Sequence, residues 1–135
     1  MKDIKQKLFD ERVISKGDKY SWGFDSKYDS KESFVNEFKD YNEDIEEIPV
    51  EDFLVFSGNK IIIKYRGALE GEEYQNLKCE IVSDGEKGIS FIDIMYQFNN
   101  CAHDYLVDCD HHYFEGLRYT DLIDETLILS IRLGS

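Results

Sequence analysis

The sequence predicts an α+β fold, in which one mostly antiparallel sheet of five or six strands packs against two or three helices. Short runs of alternating apolar and polar residues recur along the chain, and two segments repeat apolar residues at the helical period. Most strand runs follow one another through turns, which favours antiparallel pairing. Strand 77–83, helix 90–105 and strand 112–119 are compatible with one parallel crossover, which would make the sheet mixed.

The chain has 135 residues, the length of one ordinary domain, and we predict a single domain, 1–135. Hydrophobic residues make up 41% of it and aromatic residues 14%, enough to build a core. This composition excludes intrinsic disorder as the default state, although 33% of the residues are charged.

The N-terminal part predicts a short helix followed by a strand. Ile4 and Leu8 lie one helical turn apart within residues 1–11. A turn at 16–19 then leads to three aromatic residues that alternate with small ones, which predicts a strand with one buried face: Tyr20, Trp22 and Phe24.

A second helix is predicted after Asp29, which forms a capping box with Glu32. The apolar residues that follow share one face: Phe34, Val35, Phe38 and Tyr41. The segment 40–52 contains seven acidic residues, no basic ones and the only proline, so we predict an exposed acidic loop there.

Strands 53–56 and 60–66 flank the turn signal Ser57-Gly58-Asn59 and predict a hairpin. A third strand follows at 77–82, and two more are predicted at 112–119 and 127–133.

The strongest helix signal begins after Ser90, a good N-cap residue. Its apolar stripe comprises Phe91, Ile94, Met95, Phe98, Cys101 and Tyr105. We expect the first five of these to face the sheet, opposite Leu127, Leu129, Ile131 and Leu133.

The charge balance limits the possible partners. The 16 basic and 29 acidic residues give a net charge of −13. Nucleic acid and anionic membranes are therefore unsuitable partners, whereas a basic protein surface is suitable. Without a secretory signal, an apolar span or a CxxC motif, we expect a cytoplasmic protein whose three cysteines are reduced.

The segment His103–His112 concentrates the residue types that bind transition metals. His111 and His112 are adjacent and would point to opposite faces of a strand, and HExxH spacing is absent. No nucleophile or phosphate-loop motif occurs either, so we predict neither a metal, a cofactor nor catalysis. The alternative is a metal-dependent hydrolase that uses this segment.

Acidic residues bordered by aromatic ones suit a surface that binds a basic partner quickly and tightly. The segment 104–125 has this character, with seven acids against one arginine. We therefore predict a partner-binding set that consists of Asp108, Asp110, Glu115, Asp121, Asp124, Tyr113 and Tyr119.

An amphipathic helix, a short acidic stretch and then Asp110-His111-His112-Tyr113-Phe114-Glu115-Gly116-Leu117 resemble small immunity proteins of bacterial contact-dependent inhibition and related polymorphic toxin systems. The resemblance covers residues 90–119. It implies a protein that neutralises a toxin domain, often a nuclease, by binding it in the cytoplasm. From the net charge of −13 and the acidic segments we further expect that the cognate toxin domain is basic, that it binds one-to-one and that its active site is occluded. The resemblance transfers no catalytic residue. An acidic mimic of nucleic acid that inhibits another enzyme is a further alternative.

Overall fold

The structure is a computed structural model that describes residues 20–43, 54–83, 88–109 and 112–134. Its elements in chain order are α1 (Lys31–Tyr41), β1 (Leu54–Phe56), β2 (Lys60–Gly67), β3 (Gln75–Val82), β4 (Ile89–Ser90), α2 (Phe91–Leu106), β5 (Tyr113–Ile123) and β6 (Thr126–Gly134). The fold is α+β, as predicted. The helix at 1–11, the turn at 16–19 and most of the loop 40–52 lie outside the described residues.

The strands form two sheets, so the prediction of one sheet with five or six strands is wrong. Four strands pair in the order β3-β2-β6-β5, and β1 pairs with β4 in a small second sheet. The predicted hairpin between 53–56 and 60–66 is also wrong. β2 is a central strand whose neighbours are β3, along all eight residues, and β6. β1, which has three residues, pairs with β4 instead.

The four-stranded sheet is mixed because β2 and β6 run parallel while the other neighbouring pairs are antiparallel. β4 and α2 lie between β3 and β5 in the chain, and β3 and β5 occupy opposite edges of the sheet. The segment that contains the helix therefore connects two edge strands that run parallel to each other, as the predicted crossover requires.

Ser90 caps α2 as predicted, and its hydroxyl accepts a hydrogen bond from the Asp93 backbone while the Asp93 carboxylate binds the Ser90 backbone. The first four residues of the predicted stripe are fully buried: Phe91, Ile94, Met95 and Phe98. Cys101, the fifth, also faces the sheet, since its sulfur is bonded to Cys79 on β3, although the residue itself is exposed. On the sheet, Leu127 and Leu129 are fully buried.

α1 packs its aromatic face against α2. Its N-cap is Ser30, whose hydroxyl accepts a hydrogen bond from the Ser33 backbone, so the cap lies one residue after the predicted Asp29. Phe34 and Phe38 are fully buried with ring centroids 5.8 Å apart.

The aromatic residues at 20–24 are buried as predicted, but the segment forms no regular strand apart from one bridge, between Gly23 and Tyr113. Two backbone hydrogen bonds accompany the bridge, from the Phe24 N–H to the His112 carbonyl at 3.2 Å and from the Phe114 N–H to the Trp22 carbonyl at 2.8 Å. Side-chain amides hold the residues before and after it. Asn42 accepts from the Ser21 backbone N–H at 2.8 Å and donates to its carbonyl at 2.9 Å. Asn100 makes the same paired contact with Tyr28, at 3.0 and 2.7 Å.

Candidate functional site

β5 and its hairpin turn carry most of the predicted partner-binding residues. β5 is an edge strand, paired along its length with β6. Asp124 and Glu125 form the turn to β6 with φ values of 48° and 66°. Positive φ at both central positions is what a two-residue hairpin turn of type I′ requires, and aspartate tolerates it better than most residues.

The acidic members of the set are distributed along this edge and do not form one patch. Glu115 and Asp121 are exposed on β5, an eleven-residue strand that spans about 34 Å. Asp124 is exposed at its far end, and Asp108 is exposed just after α2, near its beginning. A partner would therefore have to contact an extended edge.

The aromatic members differ in their environment. Tyr113 is 39% exposed, whereas Tyr119 is partly buried against the core. Ile123, which the sequence analysis did not select, is 53% exposed at the end of β5. Tyr113 and Ile123 are thus the exposed apolar side chains of this edge. Asp110 lies outside the described residues.

Tyr113 is positioned by a contact network around His112. The two rings stack with centroids 4.4 Å apart. His112 Nε2 lies 3.1 Å from the Asp25 carboxylate, and its Nδ1 contacts the Cys109 carbonyl. The start of β5 is thereby fixed to the end of α2 and to the segment before α1.

His103, on α2, also contacts the segment before α1. His103 Nδ1 lies 3.0 Å from the Asp104 carboxylate, and its Nε2 lies 3.2 Å from the Asp25 carbonyl. The hydrogen bond from His103 and, secondarily, the ammonium group of Lys27 hold the pKa of Asp104 below its usual range.

We expect both the His103→Ala variant and the Lys27→Ala variant to raise the pKa of Asp104, since each removes a hydrogen bond that lowers it. A lowered pKa in the folded state stabilises the protein above the unfolded-state pKa, and this contribution is lost as the pH falls through the folded-state value. An NMR titration of the carboxyl carbon measures the shift directly. Identical Asp104 titrations in all three proteins would contradict the assignment.

The described contacts of Cys109 in this segment are made with backbone carbonyls. The Cys109 thiol donates to the Tyr105 carbonyl at 3.1 Å, and His112 contacts the Cys109 carbonyl instead of its sulfur. Within the described ranges, no group of three or more His, Cys, Asp or Glu side chains is placed to hold a metal ion. His111 and Asp110 are not among those residues.

The prediction of three reduced cysteines is wrong for two of them. Cys79 on β3 and Cys101 on α2 form a disulfide, with Cα atoms 6.2 Å apart, while Cys109 is free and buried. The sequence gives no CxxC signal for this pair, because the two cysteines meet only when α2 packs across β3.

The four-stranded sheet has a basic face that the sequence analysis missed. Lys64 stands in register with Lys78 on β3 and with Ser130 on β6. Ser130 in turn pairs with Arg118 on β5, so one row across four strands contains three cations. Six of the nine lysines and arginines in the described ranges belong to this face: Lys60, Lys64, Arg66, Lys78, Arg118 and Arg132.

The outward positions of β2, Lys60, Lys64 and Arg66, are a sequence signal for this face, because alternate residues of a strand share one side. The cations of β3, β5 and β6 can be assigned to this face only when the order of the strands in the sheet is known. This local excess of cations contrasts with the net charge of −13 of the whole chain.

Comparison of the chain with protein-family models, with curated proteins and with solved structures gives no match. In the part of the chain that the structure describes, neither helix has the length and apolar character needed to cross a membrane.

Proposed function

We propose that the protein is an immunity protein. It binds a basic toxin domain, which we take to be a nuclease, and occludes the active site of that domain. The observation that carries the proposal is the β5 edge, where exposed carboxylates accompany the exposed side chains of Tyr113 and Ile123. Charge accelerates the encounter with a basic surface, and apolar side chains that lose water slow dissociation. The C-terminal sequence resemblance is in agreement with this role.

The partner in this proposal is recognised by its charge. Nuclease grooves are positive because they bind phosphates, so an acidic edge can enter the groove and exclude the substrate. The edge strand itself is firmly held, since it pairs with β6 throughout and its first residues are tied to α2 through His112. A rigid edge loses less conformational entropy on binding than a loop does.

The proposal predicts that the protein co-purifies with the toxin domain encoded beside its gene and restores the growth of cells that express that toxin. Reversing three charges, with Asp108→Lys, Glu115→Lys and Asp121→Lys, should reduce the association rate about tenfold or more and weaken its salt dependence. Stopped-flow fluorescence at several salt concentrations measures both effects. Asp124 is left unchanged because its φ of 48° disfavours lysine.

The matched control reverses three exposed charges in the loop between β2 and β3, with Glu70→Lys, Glu72→Lys and Glu73→Lys. Both triple variants change the net charge equally, so a loss of rate confined to the first identifies the β5 edge. Equal losses in both would show that only net charge matters. Absence of both rescue and co-purification would exclude the immunity function for that toxin.

The proposed site of action is the cytoplasm, where the disulfide between Cys79 and Cys101 is exposed to cellular reductants. The rescue experiment is therefore accompanied by alkylation of the protein in intact cells, which reports whether Cys79 and Cys101 are oxidised there. Binding of the toxin domain is then measured with both the oxidised and the reduced protein.

A further inference from the structure

The basic face contains three neighbouring cations that form no ion pair with any described residue. Lys64 and Lys78 are directly opposite on antiparallel strands, and Arg66 lies two residues further along β2 on the same face. All three are exposed. By contrast, Lys60 at the other end of this strand contacts Glu80 at 3.6 Å. Like charges placed opposite each other destabilise a sheet unless an anion lies between them.

These cations border a cleft that opens where two strands separate. The parallel pairing of β2 and β6 ends at Lys64 and Ser130, although β2 continues to Gly67 and β6 to Gly134. The cleft has a volume of about 1010 Å³, at the upper end of the range for small-molecule sites.

The lining of the cleft combines charge with an apolar surface. Asn76 and Ser130 add polar groups beside the cations. The apolar lining comes from three strands: Leu77 and Leu133 are partly exposed and form most of the accessible apolar wall, whereas Tyr65 and Ile131 are buried behind it. Tyr74, which is 43% exposed, adds an aromatic ring. A ligand that matches this lining has an anionic group joined to an apolar or aromatic body.

We propose that this cleft binds a small organic phosphate of nucleotide size. A guanidinium group pairs with two phosphate oxygens at once, and two ammonium groups complete the neutralisation of a dianion. The apolar wall and the ring of Tyr74 then contact the body of the ligand. The net charge of −13 repels a long polyanion, which favours a free small molecule over a nucleic-acid chain.

The test is a titration of the full chain with AMP, with inorganic phosphate and with adenosine, followed by NMR and calorimetry. AMP should bind at least about tenfold more tightly than either fragment, because it alone engages both the cations and the apolar wall. The shifted amide signals should lie at the cleft ends of β2, β3 and β6. Equal binding of AMP and inorganic phosphate would overturn the role of the apolar wall, and no binding of AMP would overturn the site.

Two variants test whether AMP binds in the cleft or responds only to the positive charge of the whole face. The double change Lys64→Gln/Lys78→Gln should weaken AMP binding about tenfold or more. The matched control Lys60→Gln alters the same face of β2 outside the cleft lining and should leave binding unchanged. Equal weakening by both would mean that AMP responds only to the field of the face, contrary to the proposal.

A second readout needs no ligand. If Lys64 and Lys78 repel each other in the free protein, Lys78→Gln should raise the melting temperature by about 2 °C, a typical consequence of removing like charges from opposed positions. Lys60→Gln removes a cation that has a partner and should produce no increase. A lower melting temperature for Lys78→Gln would show that Lys78 is stabilised within the chain itself, which removes the reason to expect a bound anion.

Discussion

We expect Phe98→Ala to lower the free energy of unfolding by about 3–5 kcal/mol, the usual cost of truncating a large buried aromatic side chain. Phe98 is fully buried on α2. Its ring lies 5.2 Å from Phe24 and 5.1 Å from Tyr65, in edge-to-face geometry with both. The truncation therefore removes contacts to the segment before α1 and to the central strand β2 at once.

Urea unfolding measures this loss, and Ile123→Ala provides the comparison, because Ile123 is 53% exposed and its truncation should cost less than about 1 kcal/mol. The pKa of Tyr65 reports on the same packing. Burial, with a smaller contribution from Tyr105, raises it to about 12. In Phe98→Ala, water admitted next to Tyr65 should bring this pKa closer to 10. A loss below about 1 kcal/mol would contradict the central position of Phe98.

Periodicity in the sequence was sufficient to predict α2, since Phe91, Ile94, Met95 and Phe98 are all buried where the helical pattern puts them. Strand pairing was not predictable in the same way. The turn signal at 57–59 is local, whereas the partner of β1 is β4, more than thirty residues later. Which strands pair depends on how the whole apolar surface is covered, and no local pattern records this.

The candidate surfaces were likewise predictable where they depend on local patterns and unpredictable where they depend on strand pairing. The alternation of Lys64 and Arg66 with buried residues is visible in the sequence. Their proximity to Lys78 depends on the β2–β3 register, and the cleft depends on the point where β2 and β6 part. The acidic residues of β5 are local in the chain, so the sequence identified them. The predicted strand ended at residue 119, whereas β5 continues to Ile123, so the acidic residues are spread along a longer edge than the sequence predicted.

Removing the disulfide between β3 and α2 should lower the free energy of unfolding by about 3 kcal/mol. The two cysteines are 22 residues apart, and a cross-link of that span restricts the unfolded chain by about this amount in the chain-entropy model. The test compares the double variant Cys79→Ala/Cys101→Ser with the original protein in urea, each with and without a thiol reductant. Cys109→Ala is the control, because Cys109 takes no part in the disulfide.

The reductant should destabilise the original protein and the Cys109→Ala control but leave the double variant unchanged. The end of β3 should nevertheless remain attached to α2 after reduction, since the Gln97 amide accepts from the Val82 backbone N–H at 3.0 Å and donates to its carbonyl at 2.7 Å. Hydrogen exchange at Val82 in the reduced protein measures this attachment, and adding Gln97→Ala should then release the strand end. Three reactive thiols in unreduced, denatured protein would show that the pair does not form, and the reductant would then have no effect on stability.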